Sequence, residues 1–194
     1  TLAKRFSPVT GVIRSWDFVR KGRDWKYPVI IDNMMNLEHL CNAGSIFNND
    51  SLKVVAVTHA NTTMCNHFRP DYTSWHLVDY DPESGEVRKK ETVQGFSDDS
   101  AWARGQAWAL YGFTMMFRES GHDSYLTQAR NIADMLLSRL PEDGVPYWDL
   151  DSDKIPNDLR DASAAAIMAS AFVQLSTLTD DEASNAKYLA MAEK

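Results

Sequence analysis

Cysteine, surplus positive charge and long apolar runs are all scarce in this 194-residue sequence. Only Cys41 and Cys65 are present, so there is no disulfide framework and the redox compartment stays open. The 27 Asp and Glu residues outnumber the 20 Lys and Arg residues, and the formal net charge of −7 argues against nucleic acid as a partner. No apolar run approaches the roughly 20 residues of a membrane-spanning helix, so no membrane partner is expected.

The apolar residues that are present suffice for one sizeable core. Hydrophobic residues make up 44% and charged residues 24%, which is ordinary for a soluble globular protein, and the length suits one domain over 1–194 better than two. Six Trp, seven Tyr and eight Phe residues are more informative, because several fall in predicted loops. Flat aromatic faces with a few convergent polar groups are typical of sugar-binding clefts.

Apolar residues at helical spacing predict six helices. The helices cover 33–47, 52–62, 101–118, 123–140, 161–178 and 181–194, and residues 1–28 are predicted as loop with a short extended piece at 11–17. Alternating residues in 75–92, around a turn at 81–85, predict a β-hairpin. The charged segment 20–26, interrupted by Trp25, is predicted to lie on the surface or at a rim.

The sequence contains a weak internal repeat. A Trp-Asp pair occurs at 16–17 and again at 148–149, and each precedes an aspartate at a helix start and a pair of helices. Repeated helical hairpins predict an all-α fold of the (α/α)6 toroid or barrel type, with a small β-hairpin insertion.

Six helices are half of a ring of six hairpins. The sequence has no initiator Met and no signal peptide, and its last helix has no Gly or Pro after it. The chain is therefore expected to be a fragment of a catalytic barrel domain that lacks upstream and some downstream helices. Bacterial cytoplasm and periplasm both remain open as its compartment.

Asp32 stands out because an apolar run, Pro28 to Ile31, precedes it and two methionines follow at 34–35. Apolar surroundings raise a carboxyl pKa by disfavouring the charged form, and a carboxyl group that holds its proton near neutral pH is suited to general-acid catalysis. The alternative is that Asp32 caps the helix that follows. Residue type alone favours the cap, since caps greatly outnumber catalytic acids.

Three acidic or metal-like patterns fail on their own spacing. Residues 149–153 (DLDSD) begin like a calcium loop, but Lys154 and Arg160 occupy the positions of the defining Gly and Glu, so a solvated acidic loop is predicted. Residues 59, 65, 67 and 76 (His, Cys, His, His) match no common zinc spacing, and no metal is expected. Asp98 and Asp99 lack the third acid of a magnesium motif, because Trp102 stands there, and are predicted to cap the next helix.

The segment around Arg104 is a candidate binding site. Arg104 and Trp108 are four residues apart and share a helix face, and Trp102 lies just before them. A guanidinium group flanked by two indole rings matches a sugar that carries a carboxylate. An Arg paired with a local Asp, between two core tryptophans, is an equal alternative.

Several segments, taken together, resemble the unsaturated glucuronyl hydrolases of glycoside hydrolase family 88. The resemblance runs in order from about residue 11 to residue 172. The segments are 29–38 (VIIDNMMNLE), 67–72 (HFRPDY), 76–81 (HLVDYD), 94–108 (QGFSDDSAWARGQAW) and 160–167 (RDASAAAI).

The resemblance implies an α6/α6 barrel that acts on the oligosaccharides left by polysaccharide lyases, whose terminal uronate carries a C4=C5 double bond. An aspartic acid protonates C4, water adds at C5, and the hemiketal opens to release the next sugar. Asp32 matches the family's acid/base. The positions that match the uronate subsite are His76, Gln94, Trp102, Arg104 and Trp108. The family's second important aspartate lies upstream of Thr1, so no residue of this chain matches it.

The expected partner is therefore an unsaturated uronate-containing oligosaccharide of the glycosaminoglycan type, with no metal and no cofactor. One alternative is an unsaturated rhamnogalacturonyl hydrolase that acts on pectin fragments. Another is a non-catalytic carbohydrate-binding toroid.

Overall fold

The computed structural model of the protein describes residues 2–18, 21–179 and 181–194. Within these residues there are six α-helices: α1 (Leu37–Ile46), α2 (Asp50–Asn66), α3 (Ala103–Ser120), α4 (Asp123–Arg139), α5 (Ala162–Ser176) and α6 (Glu182–Ala192). Two 3-10 helices cover Leu2–Arg5 and Ile31–Asn36. The five strands are β1 (Phe6–Ser7), β2 (Val12–Ile13), β3 (Tyr27–Ile30), β4 (Leu77–Tyr80) and β5 (Val87–Glu91).

The helices pack as consecutive antiparallel pairs, with α1 on α2, α3 on α4 and α5 on α6. The prediction of helical hairpins is thus confirmed for the described part of the chain. Helix α3 is central, because it also packs against α5, α1 and the 3-10 helix Ile31–Asn36. Its inner face and the facing helices supply the fully buried side chains of Leu110, Phe113, Tyr125, Ile132 and Phe172.

Local signals placed most helix ends correctly. Asp161 caps α5 by accepting a hydrogen bond from the Ala164 amide, and Asp181 caps α6 through the Ala183 amide. Gly121 ends α3 in the left-handed conformation at a φ of 69°. Helix α2 extends beyond its predicted range at both ends. The prediction that Asp98 and Asp99 cap α3 is wrong, since α3 begins at Ala103 and its cap position, Trp102, makes no capping bond.

The predicted hairpin is present as β4 and β5, but the sheet has a third strand. β3 pairs antiparallel with β4, in the order β3-β4-β5, and Ile30 faces Leu77 across the ladder. Pro28 is tolerated because β3 is an edge strand. Residues 27–30 were predicted as loop or as the approach to a helix. The partner of β3 lies about 50 residues away in sequence, and no local pattern reports it.

A glycine sets the distance between α3 and the segment that carries Asp32. A Cβ atom added at Gly112 would lie 2.4 Å from Met34 Cβ and 3.3 Å from the Met34 carbonyl carbon. Such a contact is far below van der Waals distance, so only glycine permits this approach. Helix α3 and the 3-10 helix Ile31–Asn36 therefore pack almost backbone to backbone.

The segment predicted to form a charged rim divides between surface and core. Arg20 lies outside the described residues, while Lys21, Asp24 and Lys26 are exposed. Trp25 is buried, and its Nε1 donates a hydrogen bond of 2.6 Å to Glu91 Oε2 on β5. Among the helices that the structure describes, none is long and apolar enough to cross a membrane.

Candidate active site

Strand β3 brings Asp32 into a largely buried position on the 3-10 helix. Its side chain is 16% exposed, and Oδ2 is buried without a hydrogen-bond partner among the described residues. Ile30 is the cap position of the 3-10 helix and Asn36 that of α1, and no side-chain hydrogen bond caps either helix. Asp32 therefore caps neither helix, and the capping alternative loses its structural basis.

Burial raises the pKa of Asp32 to about 6, because the charged carboxylate loses hydration that the protein does not replace. A backbone hydrogen bond and the positive charge of Arg104 oppose this shift only in part. A carboxyl group with this pKa remains protonated in a substantial fraction of molecules in weakly acidic solution. That is the property required of a general acid.

His76 lies beside Asp32, at the entrance to β4. Its Nδ1 accepts hydrogen bonds from the backbone N–H groups of Val93, at 3.0 Å, and Gln94, at 3.2 Å. Because Nδ1 accepts these bonds, the single proton of the neutral ring resides on Nε2. Nε2 is 3.8 Å from Asp32 Oδ2 and has no hydrogen-bond partner within the described parts of the chain.

Burial lowers the pKa of His76 to about 4, because the charged imidazolium loses hydration. The pKa of Asp32 thus lies above that of His76, so the two side chains do not form an ion pair near neutral pH. Between pH 4 and pH 6 both are predominantly neutral. The site accordingly presents an acid and an N–H donor side by side.

Trp102 and Arg104 extend this group of contacts. The rings of His76 and Trp102 are 4.6 Å apart between centroids, and the Arg104 guanidinium carbon lies 5.1 Å from the Trp102 ring centroid. Trp102 is only 3% exposed, while the Arg104 side chain is 35% exposed. Arg104 Nη2 is 3.7 Å from Asp161 Oδ2, which is longer than a hydrogen bond. The guanidinium group is therefore held on an indole platform but remains accessible from one side.

The structure brings five of the six residues predicted from the sequence into one group. Gln94 joins through its backbone, and its side chain is exposed. Trp108 lies one turn beyond Arg104 on α3, where it packs edge-on against Tyr111 and lines a cavity of about 290 Å³ against α5. Trp108 is therefore the one residue of the six that lies outside the group.

Asp149 is a buried hydrogen-bond centre that sequence reasoning missed. The prediction of a solvated acidic loop is wrong at this position, since Asp149 is 0% exposed. Its Oδ2 accepts hydrogen bonds from the Phe96 amide at 2.8 Å and Ser100 Oγ at 2.7 Å, and its Oδ1 accepts one from the Asp151 amide. Asp149 thereby anchors the segment between Gln94 and Trp102. The apolar neighbours Trp148 and Leu150 were the only local signal of its burial.

Replacing Asp149 by asparagine is expected to destabilise the fold by about 1–3 kcal/mol, because an NH₂ group would face one of three N–H or O–H donors. Urea unfolding measures the difference. Asp153→Asn is the matched control, since Asp153 is exposed in the same loop and should lose less than about 0.5 kcal/mol. Equal stabilities of the two variants would contradict the role of Asp149.

The histidines considered as zinc ligands do not form a common metal-binding group among the described residues. His59 is buried and its Nδ1 accepts a hydrogen bond from the Ile13 amide, while His67 is buried next to the Tyr80 ring. Cys65 is exposed. Within 2–18, 21–179 and 181–194, no three His, Cys, Asp or Glu side chains form a group that could hold a metal ion.

A second recess lies next to the site on another face of the 3-10 helix. It has a volume of about 800 Å³, and Asn33 and Asn36 contribute to its lining. Its charged residues are Lys4, Arg5, Arg14 and Asp17, and Asp17 pairs with both arginines. None of the six site residues predicted from the sequence lines this recess.

For any reaction in which Asp32 is the general acid beside neutral His76, the pH dependence follows from their two pKa values. The acid form of Asp32 is expected to predominate below pH about 6, and neutral His76 above pH about 4. A plot of kcat/KM against pH should therefore be bell-shaped, with its maximum near pH 5 and a tenfold fall per pH unit on the alkaline side. A rate that kept rising through pH 8 would contradict this assignment.

Known proteins similar to this chain were found by sequence and by structure, although no family model matches it. An unsaturated glucuronyl hydrolase from Formosa agariphila is 48% identical over 184 residues, which is 94% of this chain and 46% of the relative. The crystal structure of an unsaturated glucuronyl hydrolase specific for heparin superposes with a TM-score of 0.93 at 47% identity, over 98% of this chain and 50% of that one.

A further solved structure contains a ligand. It is an Asp-to-Asn variant of the unsaturated glucuronyl hydrolase from Streptococcus agalactiae in complex with dGlcA-GalNAc6S. Its TM-score is 0.71 at 32% identity, over 84% of this chain and 44% of that one. The chain spans about half the length of the curated relatives that it matches.

These likenesses show that the described chain has the fold of the matching half of these solved structures. The chain is homologous to the unsaturated glucuronyl hydrolases along nearly its whole length. The resemblance drawn from the sequence motifs is thereby confirmed.

Proposed function

We propose that the protein carrying this chain is a glycoside hydrolase that removes a Δ4,5-unsaturated uronic acid from the non-reducing end of lyase-generated oligosaccharides. The observation that carries the proposal is the unpartnered, buried carboxyl group of Asp32, whose pKa is raised to about 6, beside the Nε2 donor of His76. The six α-helices and small sheets belong, in this proposal, to an incomplete portion of an (α/α)6 toroid.

The proposed reaction needs one acid and one water molecule. Protonated Asp32 donates its proton to C4 of the double bond, and the positive charge that develops at C5 is stabilised by the ring oxygen. Water adds at C5 and gives its proton to the Asp32 carboxylate, which restores the acid, and the resulting hemiketal opens to expel the neighbouring sugar. A vinyl ether is protonated directly at carbon, so the paired carboxylates of an ordinary glycosidase are not needed for this step.

The other residues of the site bind the uronate in this proposal. The accessible side of the Arg104 guanidinium pairs with the sugar carboxylate, an interaction that Arg makes with two parallel hydrogen bonds. Trp102 supports Arg104 from below and closes one side of the subsite, and Trp108 offers a ring face one helical turn away. His76 and Gln94 hold hydroxyl groups or orient the attacking water.

The proposed substrates are glycosaminoglycan fragments. Support comes from the relatives: one structure is described as specific for heparin, and another is complexed with dGlcA-GalNAc6S. Both descriptions contain or imply an acidic sugar, which suits the exposed side of Arg104. The proposal involves no metal and no cofactor.

Turnover of an unsaturated disaccharide tests the function. The intact protein is mixed with lyase-generated glycosaminoglycan disaccharides, and the ultraviolet absorbance of the conjugated uronate is followed. Loss of absorbance with release of the second sugar supports the proposal. Faster turnover of a pectin-derived unsaturated disaccharide would instead indicate a rhamnogalacturonyl hydrolase, and binding without turnover would indicate a non-catalytic sugar-binding toroid.

A further inference from the structure

The orientation of the His76 ring depends on the short segment 92–95. Three donors surround its Nδ1: the Val93 amide at 3.0 Å, the Gln94 amide at 3.2 Å and the Thr92 hydroxyl, whose Oγ1 is 3.4 Å away. One nitrogen lone pair cannot be protonated while these groups point at it. The segment therefore determines which ring nitrogen carries the proton.

Thr92 holds the segment in this shape. Its Oγ1 accepts a hydrogen bond of 2.7 Å from the Gly95 amide, which leaves the hydroxyl hydrogen free to point at His76 Nδ1. The turn is closely packed on its other side. A Cβ atom added at Gly95 would lie 2.7 Å from Thr92 Oγ1 and 3.2 Å from Asp149 Oδ2. The next amide, that of Phe96, is bound by Asp149.

The opposite ring nitrogen faces Asp32. His76 Nε2 and Asp32 Oδ2 are both buried, both lack a partner among the described residues, and lie 3.8 Å apart. That distance is too long for a direct hydrogen bond. The His76 N–H group and the Asp32 carboxyl group are therefore directed at the same small space. One oxygen atom of a ligand in that space can accept hydrogen bonds from both groups while Asp32 is protonated.

We propose that Thr92 is a positioning residue: through the turn 92–95 it fixes His76 with the proton on Nε2 and so presents an N–H donor beside Asp32. The inference rests on the proposed function only for its catalytic consequence. The proton position itself is a property of the protein without substrate. Thr92 touches neither Asp32 nor the reacting atoms in this arrangement, and it acts through His76.

Nitrogen-15 NMR of histidine-labelled intact protein tests the proton position directly, with the His76 resonances assigned by comparison with His76→Gln. The expected spectrum shows His76 with a protonated Nε2 and an unprotonated Nδ1. In Thr92→Val, which keeps the shape but loses the hydroxyl group, a mixture of the two tautomers is expected. A protonated Nδ1 in the unaltered protein would overturn the proposal, even if the variant did not fold.

Steady-state kinetics test the catalytic consequence. Thr92→Val is expected to lower kcat about tenfold, the effect of losing one hydrogen bond, with KM changed less than about twofold. Thr92→Ser keeps the hydroxyl group and should retain both the tautomer and kcat. Thr58→Val is the matched control, because the Thr58 hydroxyl donates a hydrogen bond to the Val54 carbonyl on its own helix α2 and lies outside the site.

The outcomes separate this inference from the proposed function. An unchanged tautomer and unchanged kcat in Thr92→Val would overturn the positioning role while turnover by the unaltered protein stood. The reverse result, in which Thr92→Val shifts the tautomer but the unaltered protein turns over no unsaturated disaccharide, would support the positioning of His76 and reject the hydrolase.

Discussion

Replacing Asp32 by asparagine is expected to abolish turnover and, at the same time, to make the fold more stable at pH 7. Turnover should fall by at least about 10³-fold, because the amide cannot donate a proton to carbon and general acids contribute roughly 10²–10⁴ to rate. Stability should rise because the substitution removes a charge that the folded protein buries without a partner.

The sign of the stability change depends on pH. The pKa of Asp32 is about 6 in the folded protein, raised above its ordinary value of 3.8. Below pH 3.8 the carboxyl group is protonated in both states and costs nothing. Between pH 3.8 and pH 6 the unfolded chain releases this proton before the folded protein does, and the difference favours the unfolded chain by up to roughly 3 kcal/mol above pH 6. Asp32→Asn should therefore gain about 1–3 kcal/mol above pH 7 and almost nothing at pH 3.5.

Urea unfolding at the two pH values and turnover of an unsaturated disaccharide measure these effects together. Asp153→Asn, at an exposed carboxyl group, serves as the control and should change neither quantity. If Asp32 were only a helix cap, Asp32→Asn would leave turnover intact and change stability little, because asparagine caps as well as aspartate. Full activity of the variant would remove Asp32 from the mechanism.

Gly112→Ala is expected to destabilise the fold strongly, although Gly112 is not one of the six candidate site residues. The new methyl group would lie 2.4 Å from Met34 Cβ, so α3 and the 3-10 helix would have to separate. Overpacking of this kind costs about 1–3 kcal/mol, and the clash is with atoms close to the backbone, which cannot swing aside. The better helix propensity of alanine offsets at most about 1 kcal/mol.

The same substitution should lower kcat, since Met34 is two residues from Asp32 and moves with it. Urea unfolding and steady-state kinetics check the two consequences. Gly44→Ala in α1 is the matched control, because its new methyl group meets mainly the flexible Lys53 side chain. The control should change stability by less than about 1 kcal/mol and leave kcat unaltered. Equal effects in both variants would contradict the close-packing argument.

Local sequence signals predicted the parts of the fold that depend on neighbours in the chain. The caps at Asp161 and Asp181 and the left-handed Gly121 all act within a few residues of themselves, and each helix end was correct. Strand β3 was missed because its pairing with β4 joins residues about 50 apart. Asp149 was misjudged for the same reason, since its partners Phe96 and Ser100 lie far back in the sequence.

Local sequence patterns likewise predicted some features of the candidate site and missed others. Asp32 was singled out by its apolar flanks, and burial raises its pKa as that pattern indicated. Gln94 and His76 were found through motif resemblance, and the contact between them is a hydrogen bond from the Gln94 backbone amide to the His76 ring, which does not depend on the Gln94 side chain. Trp102 was expected to flank the sugar with its indole ring, but it is only 3% exposed and lies against the His76 ring and the Arg104 guanidinium group.

The pairing of β3 with β4 has a mechanical consequence for the site. Ile31, next to Asp32, donates its amide hydrogen to the His76 carbonyl at 2.9 Å, so the two site residues are joined by the main chain as well as by side-chain contact. The sheet ladder thereby sets the separation of their backbones. The main chain therefore determines how closely the backbones of acid and donor approach, and the turn 92–95 determines which ring nitrogen faces the acid.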